Sequence, residues 1–230
     1  MDTAMATEGR RMERMDIMPT SMKTRAIIQA RMGSSRLRGK SLMPVAGIPL
    51  LVRVITTVKG LDFDEVMVAT TTLPEDDPIV SVANDHGIGV ARGSALNVLE
   101  RFVEASADLQ EGDFIIRFTA DNPFNNYDVT KALWEIHLKE DNDYTHIDGL
   151  SHIVAEFIKV RALREAYANP RVDNFDREHV TPFIRKHREL FKISTMSSDY
   201  MGLRHDLDKY LTIDNNEDLI RAESMIGDLG

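Results

Sequence analysis

The chain has 230 residues, is 43% hydrophobic and carries a formal net charge of −9. That length supports one large domain, and the acidic balance argues against a general nucleic-acid binder. There is no cysteine, which rules out a disulfide framework and a thiolate metal site and fits a cytoplasmic location.

Residues 1–23 hold methionines and mixed charges without an apolar core segment. They read as a disordered tail, not a signal peptide. Met15, Met18 or Met22 is then an alternative translation start. No apolar run reaches the length of a membrane span, so no membrane partner is expected.

Ala26 to Gln29 predicts a buried strand. It runs into a loop, Ala30-Arg-Met-Gly-Ser-Ser-Arg-Leu-Arg-Gly-Lys40, with four cations and no acid. Glycines let a backbone approach an anion and aim its N–H groups at it. Cations beside those groups suit a polyphosphate. The loop reads either as a triphosphate site or as a solvated basic loop. A P-loop, which needs four residues between its glycines, is the lesser reading. Five separate Gly33 from Gly39, and Pro44 and Gly47 oppose an immediate long helix.

Ile48 to Val58 predicts a helix with Leu50, Leu51, Val54, Ile55 and Val58 inward. Strands follow at 65–70, 88–91 and 114–118, separated by helices at 79–86 and 94–108. This alternation means βαβ units and a mostly parallel sheet. A helix at 128–138 comes next. Strands at 143–146 and 152–158 suggest a small added β-arm over the site. Helices at 161–168 and 177–187, strands at 191–194 and 210–213, and a final helix capped by Asn215 or Asn216 complete the chain.

In parallel sheets ligands bind beyond the carboxyl ends of the strands. The Arg31 loop and Asp121 share that rim in this reading, and Asp214 follows the last predicted strand. Two such carboxylates beside a phosphate loop suit Mg²⁺, which takes carboxylates plus phosphate oxygens. Each aspartate alone also reads as a helix N-cap.

The stretch Ile27-Ile-Gln-Ala-Arg-Met-Gly-Ser-Ser-Arg-Leu-Arg-Gly-Lys-Ser-Leu42 resembles the opening signature of cytidylyltransferases that make CMP-activated acidic sugars. The resemblance is to the branch of spore coat polysaccharide biosynthesis protein F. Arg92-Gly-Ser94, Arg117-Phe-Thr-Ala-Asp-Asn-Pro123, Arg177-Glu-His-Val-Thr-Pro182 and Ile213-Asp-Asn-Asn-Glu-Asp-Leu219 follow in family order. The resemblance implies a GT-A-like α/β nucleotidyltransferase domain over 24–230. It implies CTP, an acidic sugar or related acceptor, Mg²⁺ and a homodimer, with 141–160 as acceptor or dimer arm.

The residues carry over as follows. Arg31, Lys40 and Asp121 match catalytic positions. Gln29, Ala30, Gly33, Ser34, Ser35, Arg36 and Arg92 match the nucleotide site, and Asp121 with Asp214 the metal site. Glu156, His152 and His179 are acceptor-side candidates, and His146 lies in the same appended region. The chain departs from the family pattern at Arg38, where proline is usual, and around Gly149 to Glu156. Two other readings stand beside the transferase. One is a glycosyltransferase that uses a nucleotide sugar; the other is a nucleotide-binding module without turnover.

Overall fold

A computed structural model describes residues 22–34, 36–151, 154–204 and 206–227. The expected tail falls on residues 1–21, outside them. Met22 and Lys23 belong to the folded body: Met22 packs on the main core and the Lys23 N–H donates to Asp113 at 2.9 Å.

The elements run β1 (Thr24–Gln29), β2 (Pro44–Val45), β3 (Ile48–Pro49), α1 (Leu50–Lys59), β4 (Glu65–Thr71), α2 (Asp77–Asp85), β5 (Gly89–Gly93) and α3 (Val98–Glu104). After them come β6 (Phe114–Thr119), α4 (Tyr127–Lys139), β7 (Tyr144–Ile147), β8 (Glu156–Lys159) and α5 (Val160–Ala168). The chain ends with α6 (Asn174–His179), α7 (Pro182–Lys186), β9 (Ile193–Met196), α8 (Leu207–Leu211) and α9 (Asn216–Gly227).

Seven strands form one sheet in the order β5-β4-β1-β6-β8-β7-β9. β5, β4, β1 and β6 are mutually parallel; β8 runs antiparallel to β6 and β7, and β9 parallel to β7. Successive strand residues face opposite sides of a sheet, and β1 shows this directly. Ala26 and Ile28 enter one core with α1, α2 and α4, whereas Ile27 enters another with α3, α5 and α7. Both faces are covered, so β1 is apolar throughout its centre. A third core joins Leu37, Val45 and Leu50 to Ile213 and Ala222, seating α9 against the loop after β1.

Four expectations are corrected. The strands expected as an added arm at 141–160 exist as β7 and β8, but they extend the main sheet. The small separate sheet is the β2–β3 hairpin, turned by Ala46 and Gly47, both at positive φ. The helix expected over 94–108 shrinks to α3, because the Asn97 side chain accepts the Glu100 N–H and starts the helix there. The helix expected over 177–187 breaks into α6 and α7, since Pro182 has no N–H to continue the ladder. The strand expected at 210–213 is α8 instead; Leu207 and Leu211, one helical turn apart, both pack on the main core.

Candidate active site

The site begins where β1 ends. The Ala30 N–H donates to the Ala69 carbonyl and the Ala120 N–H to the Gln29 carbonyl, carrying the ladder to the sheet rim. The loop then closes on itself: the Met32 carbonyl accepts the N–H groups of both Ser34 and Gly39 at 2.9 Å. Gly39 has φ 75°, a left-handed conformation that glycine adopts without strain. Lys40 to Leu42 form a short 3₁₀ turn, and the Ser41 hydroxyl donates to the Arg31 carbonyl at 3.1 Å.

A buried carboxylate pins the loop from below. Asp76 accepts the Met32 N–H at 2.6 Å, the Thr71 N–H at 3.2 Å and the Thr71 hydroxyl. Asp76 is only 1% exposed. Gly33 lies close to this support; a Cβ there would meet Glu75 Oε1 at 3.0 Å.

Every cation of the loop meets an acid from another segment. Arg31 stands 3.9 Å from Glu178, Arg36 2.9 Å from Asp214 and Arg38 3.0 Å from Glu75. Lys40 meets two: its Nζ lies 2.9 Å from Asp121 Oδ2 and 2.9 Å from Asp214 Oδ1. The same nitrogen donates to the Ile213 carbonyl at 3.1 Å. The Ile213 N–H in turn donates to the Asp121 carbonyl, tying the 213–214 segment to the end of β6. Neither aspartate is a helix N-cap: Asn126 caps α4, and the Asn215 side chain accepts the Asp218 N–H before α9. Asp214 follows α8 and a short loop, not the strand expected there.

Gln29, Ala30, Arg31, Ser34, Arg36, Lys40, Asp121 and His179 line one cavity of about 250 Å³. Arg36 also borders a second cavity of about 790 Å³, which Asp214 lines. The predicted residues are thus largely brought together. Ser35 and His152 lie outside the described residues. Arg92 stands apart from the cavity: its guanidinium donates to the Thr71 and Leu73 carbonyls and pairs with Asp77. It braces the loop after β4. His146 is likewise remote, buried against the Tyr144 ring with Nε2 3.1 Å from the Thr195 hydroxyl.

Glu156 is corrected from an acceptor contact to a buried anchor. It is fully buried and receives the Arg117 guanidinium, the Tyr144 hydroxyl and, at 3.0 Å, the Thr181 hydroxyl. Burial alone would raise its carboxyl, but the charges of Arg117 and Arg185 and the Tyr144 hydrogen bond hold it below the usual range. An acceptor cannot reach it.

Arg117 and Glu178, absent from the sequence-derived set, line the cavity. Both stand in stretches that carried the family resemblance, which was the available signal. Arg117 lies within the apolar run Phe114-Ile-Ile-Arg-Phe118; a cation there needs a partner across the sheet, and the register puts Glu156 opposite it.

A cytidylyltransferase family model matches residues 25–226. The chain belongs to the cytidylyltransferase family. It is 33% identical over 199 residues to the spore coat polysaccharide biosynthesis protein SpsF of Bacillus subtilis, covering 84% of this chain and 81% of that one. It is 36% identical over 217 residues to the uncharacterized protein MJ1063 of Methanocaldococcus jannaschii, covering 88% and 87%. A cytidylyltransferase structure from Leptospira borgpetersenii superposes with a TM-score of 0.78 at 28% identity, covering 90% of this chain and 87% of that one. No helix among the described residues is long and apolar enough to cross a membrane.

The donor set of this cytidylyltransferase fits Mg²⁺. Among the described residues no cluster of three or more metal-ligating side chains occurs. Instead two carboxylates, Asp121 and Asp214, converge on one ammonium. Mg²⁺ is ordinarily held by one or two carboxylates together with substrate phosphates and water.

Proposed function

We propose that the chain transfers CMP from CTP to an acceptor oxygen and releases pyrophosphate. The observation that carries this reading is the meeting of Lys40 with Asp121 and Asp214 at the edge of the glycine loop. A triphosphate brings negative charge that suits Arg31, Arg36 and Lys40, all of which face the cavity. The Ser34 hydroxyl is a neutral donor beside them. Lys40 is only 12% exposed, so its charge is poorly screened and acts strongly on an anion beside it.

In-line attack on the α-phosphorus needs positioning and charge neutralisation more than covalent help from the protein. The loop cations neutralise the departing pyrophosphate. Asp121 and Asp214 would hold Mg²⁺, which on binding neutralises phosphate oxygens and polarises the α-phosphoryl group. Glu178 and His179, on the cavity rim, face the acceptor. An acidic sugar or a phosphonate is the acceptor class in this reading, supported by the likeness to a polysaccharide biosynthesis protein. The assembly is a homodimer in the same reading; sedimentation at micromolar concentration checks it, and a monomer there removes it.

The test is CTP calorimetry with and without Mg²⁺, using ATP, GTP and UTP as controls. Selective CTP binding that Lys40→Ala weakens is expected. If no triphosphate binds, the assignment falls.

A further inference from the structure

Between α6 and α7 the chain makes a three-residue turn. The Thr181 N–H donates to the His179 carbonyl at 2.9 Å across Val180, whose φ is 72° and ψ −57°. This is the γ-turn of positive φ, the rare and strained form. A β-branched residue at positive φ is an outlier. Such strain persists where the surroundings over-determine it, and it gathers at functional sites.

The surroundings here are specific. On one side of Val180, Glu178 and His179 line the cavity, and Glu178 stands 3.9 Å from Arg31 of the glycine loop. On the other side Thr181 turns inward, and its hydroxyl donates to Glu156 at 3.0 Å. The second oxygen of Glu156 takes the Arg117 guanidinium. Arg117 is 6% exposed, lines the same cavity and donates to Gln29 Oε1 at 3.3 Å. Arg117 and Glu156 are direct neighbours in the β6–β8 register, so the sheet holds the pair. A buried ion pair is a poor source of stability beside apolar packing. Here each partner also serves a cavity-lining group.

We propose that Glu156 is a positioning residue that sets two walls of the cavity, one through Arg117 and Gln29, the other through Thr181 and the Val180 turn that presents Glu178 and His179. The proposal rests on the cavity being the transferase site. It makes the acceptor-side rim a lever fixed at a residue the acceptor never touches.

Two substitutions separate the two arms. Glu156→Gln keeps an oxygen for the Thr181 hydroxyl and removes the charge that holds Arg117. Thr181→Val removes the rim tether and leaves the ion pair. NMR reports each wall in the full chain: the His179 ring resonances for the rim, assigned with His179→Gln, and the Arg117 Nε–H resonance for the other wall. Thr181→Val is expected to move the His179 signals and leave Arg117 in place. Glu156→Gln is expected to do the reverse. With an acceptor from a pyrophosphate-release screen, Thr181→Val lowers kcat about 100-fold with KM for CTP unchanged, the loss typical of a misplaced group. Folded variants in which neither reporter moves, or in which Thr181→Val shifts Arg117 and leaves His179 in place, overturn the proposal. Wild-type CTP calorimetry is run alongside: failure to bind CTP sinks the transferase reading, whereas the reporters judge Glu156 independently.

Discussion

Lys40 and Asp121, 81 residues apart, are joined directly, with Nζ 2.9 Å from Oδ2. The same ammonium lies 2.9 Å from Asp214 Oδ1. It occupies the point between the two carboxylates proposed to hold a divalent cation, so in that reading lysine and metal would compete in the ligand-free chain. Lys40→Met removes the ammonium that the two carboxylates share, while Asp214 keeps its pair with Arg36. Mn²⁺ binding to the nucleotide-free protein, followed by electron paramagnetic resonance, is expected to tighten at least about tenfold, given the strength of one poorly screened charge contact. Equal affinity in wild type and variant would show that the metal does not use this pair.

Asp76 supports the glycine loop through the Met32 N–H and both Thr71 donors. In Asp76→Asn one oxygen becomes an NH₂ group facing donors, leaving buried N–H and O–H groups unsatisfied. Stability should fall by about 2 kcal/mol, read as a lower urea midpoint at unchanged slope. CTP affinity should fall with it, because Met32 begins the loop. A midpoint indistinguishable from wild type would remove Asp76 from this role.

Val180 is fully buried and strained at φ 72°. Away from such strain, glycine costs roughly 0.5–1 kcal/mol more than alanine in regular structure. At position 180 the order should invert. Val180→Ala loses buried methyl groups and keeps the strain, while Val180→Gly loses them and sheds strain of about 1–3 kcal/mol. Thermal melting is expected to show Val180→Gly at least as stable as Val180→Ala. The ordinary order would mean the turn stores no strain.

His137 gives stability a pH dependence. Its ring is buried against Trp134, Phe114 and Phe157. Burial, assisted by the Lys159 charge, lowers its pKa from 6.5 to about 3. In the folded chain it is therefore neutral where the unfolded chain is protonated. Its stabilisation is complete above pH 6.5 and is lost as pH falls toward 3. By pH 5 the loss is about 2 kcal/mol. His137→Gln does not titrate, so its melting temperature should fall less between pH 7 and pH 5. Parallel curves would refute this. Asp108 acts in a separate window: hydrogen bonding to Arg25 lowers it from 3.8 to about 2, so its contribution is lost only as pH falls through that range.

The central strands could be read early because they are buried on both faces, so β1, β4 and β6 appear as apolar runs whatever surrounds them. The glycine loop was legible for a related reason: its glycines and cations are contiguous. The late chain was harder. Tyr210-Leu-Thr-Ile213 has strand formers, yet 207–211 is helical, because Leu207 and Leu211 find the core only one helical turn apart. Glu156 looked like an acceptor contact while its neighbour across the sheet was unknown.

By itself the sequence determined which chemistry could be present: a cationic glycine loop, two aspartates in family-like settings, and the strand–helix alternation that carries a ligand rim at the carboxyl ends. Those features are local or periodic, and the chain states them directly. Tertiary structure decided the pairings. It brought acids from 75, 121, 178 and 214 to a loop that has none of its own. It set Glu156 behind Arg117 through strand register, and it strained Val180 so that Glu178 and His179 face the cavity while Thr181 faces the core. Charge pairing across a sheet depends on register and burial, and neither is a property of any one segment.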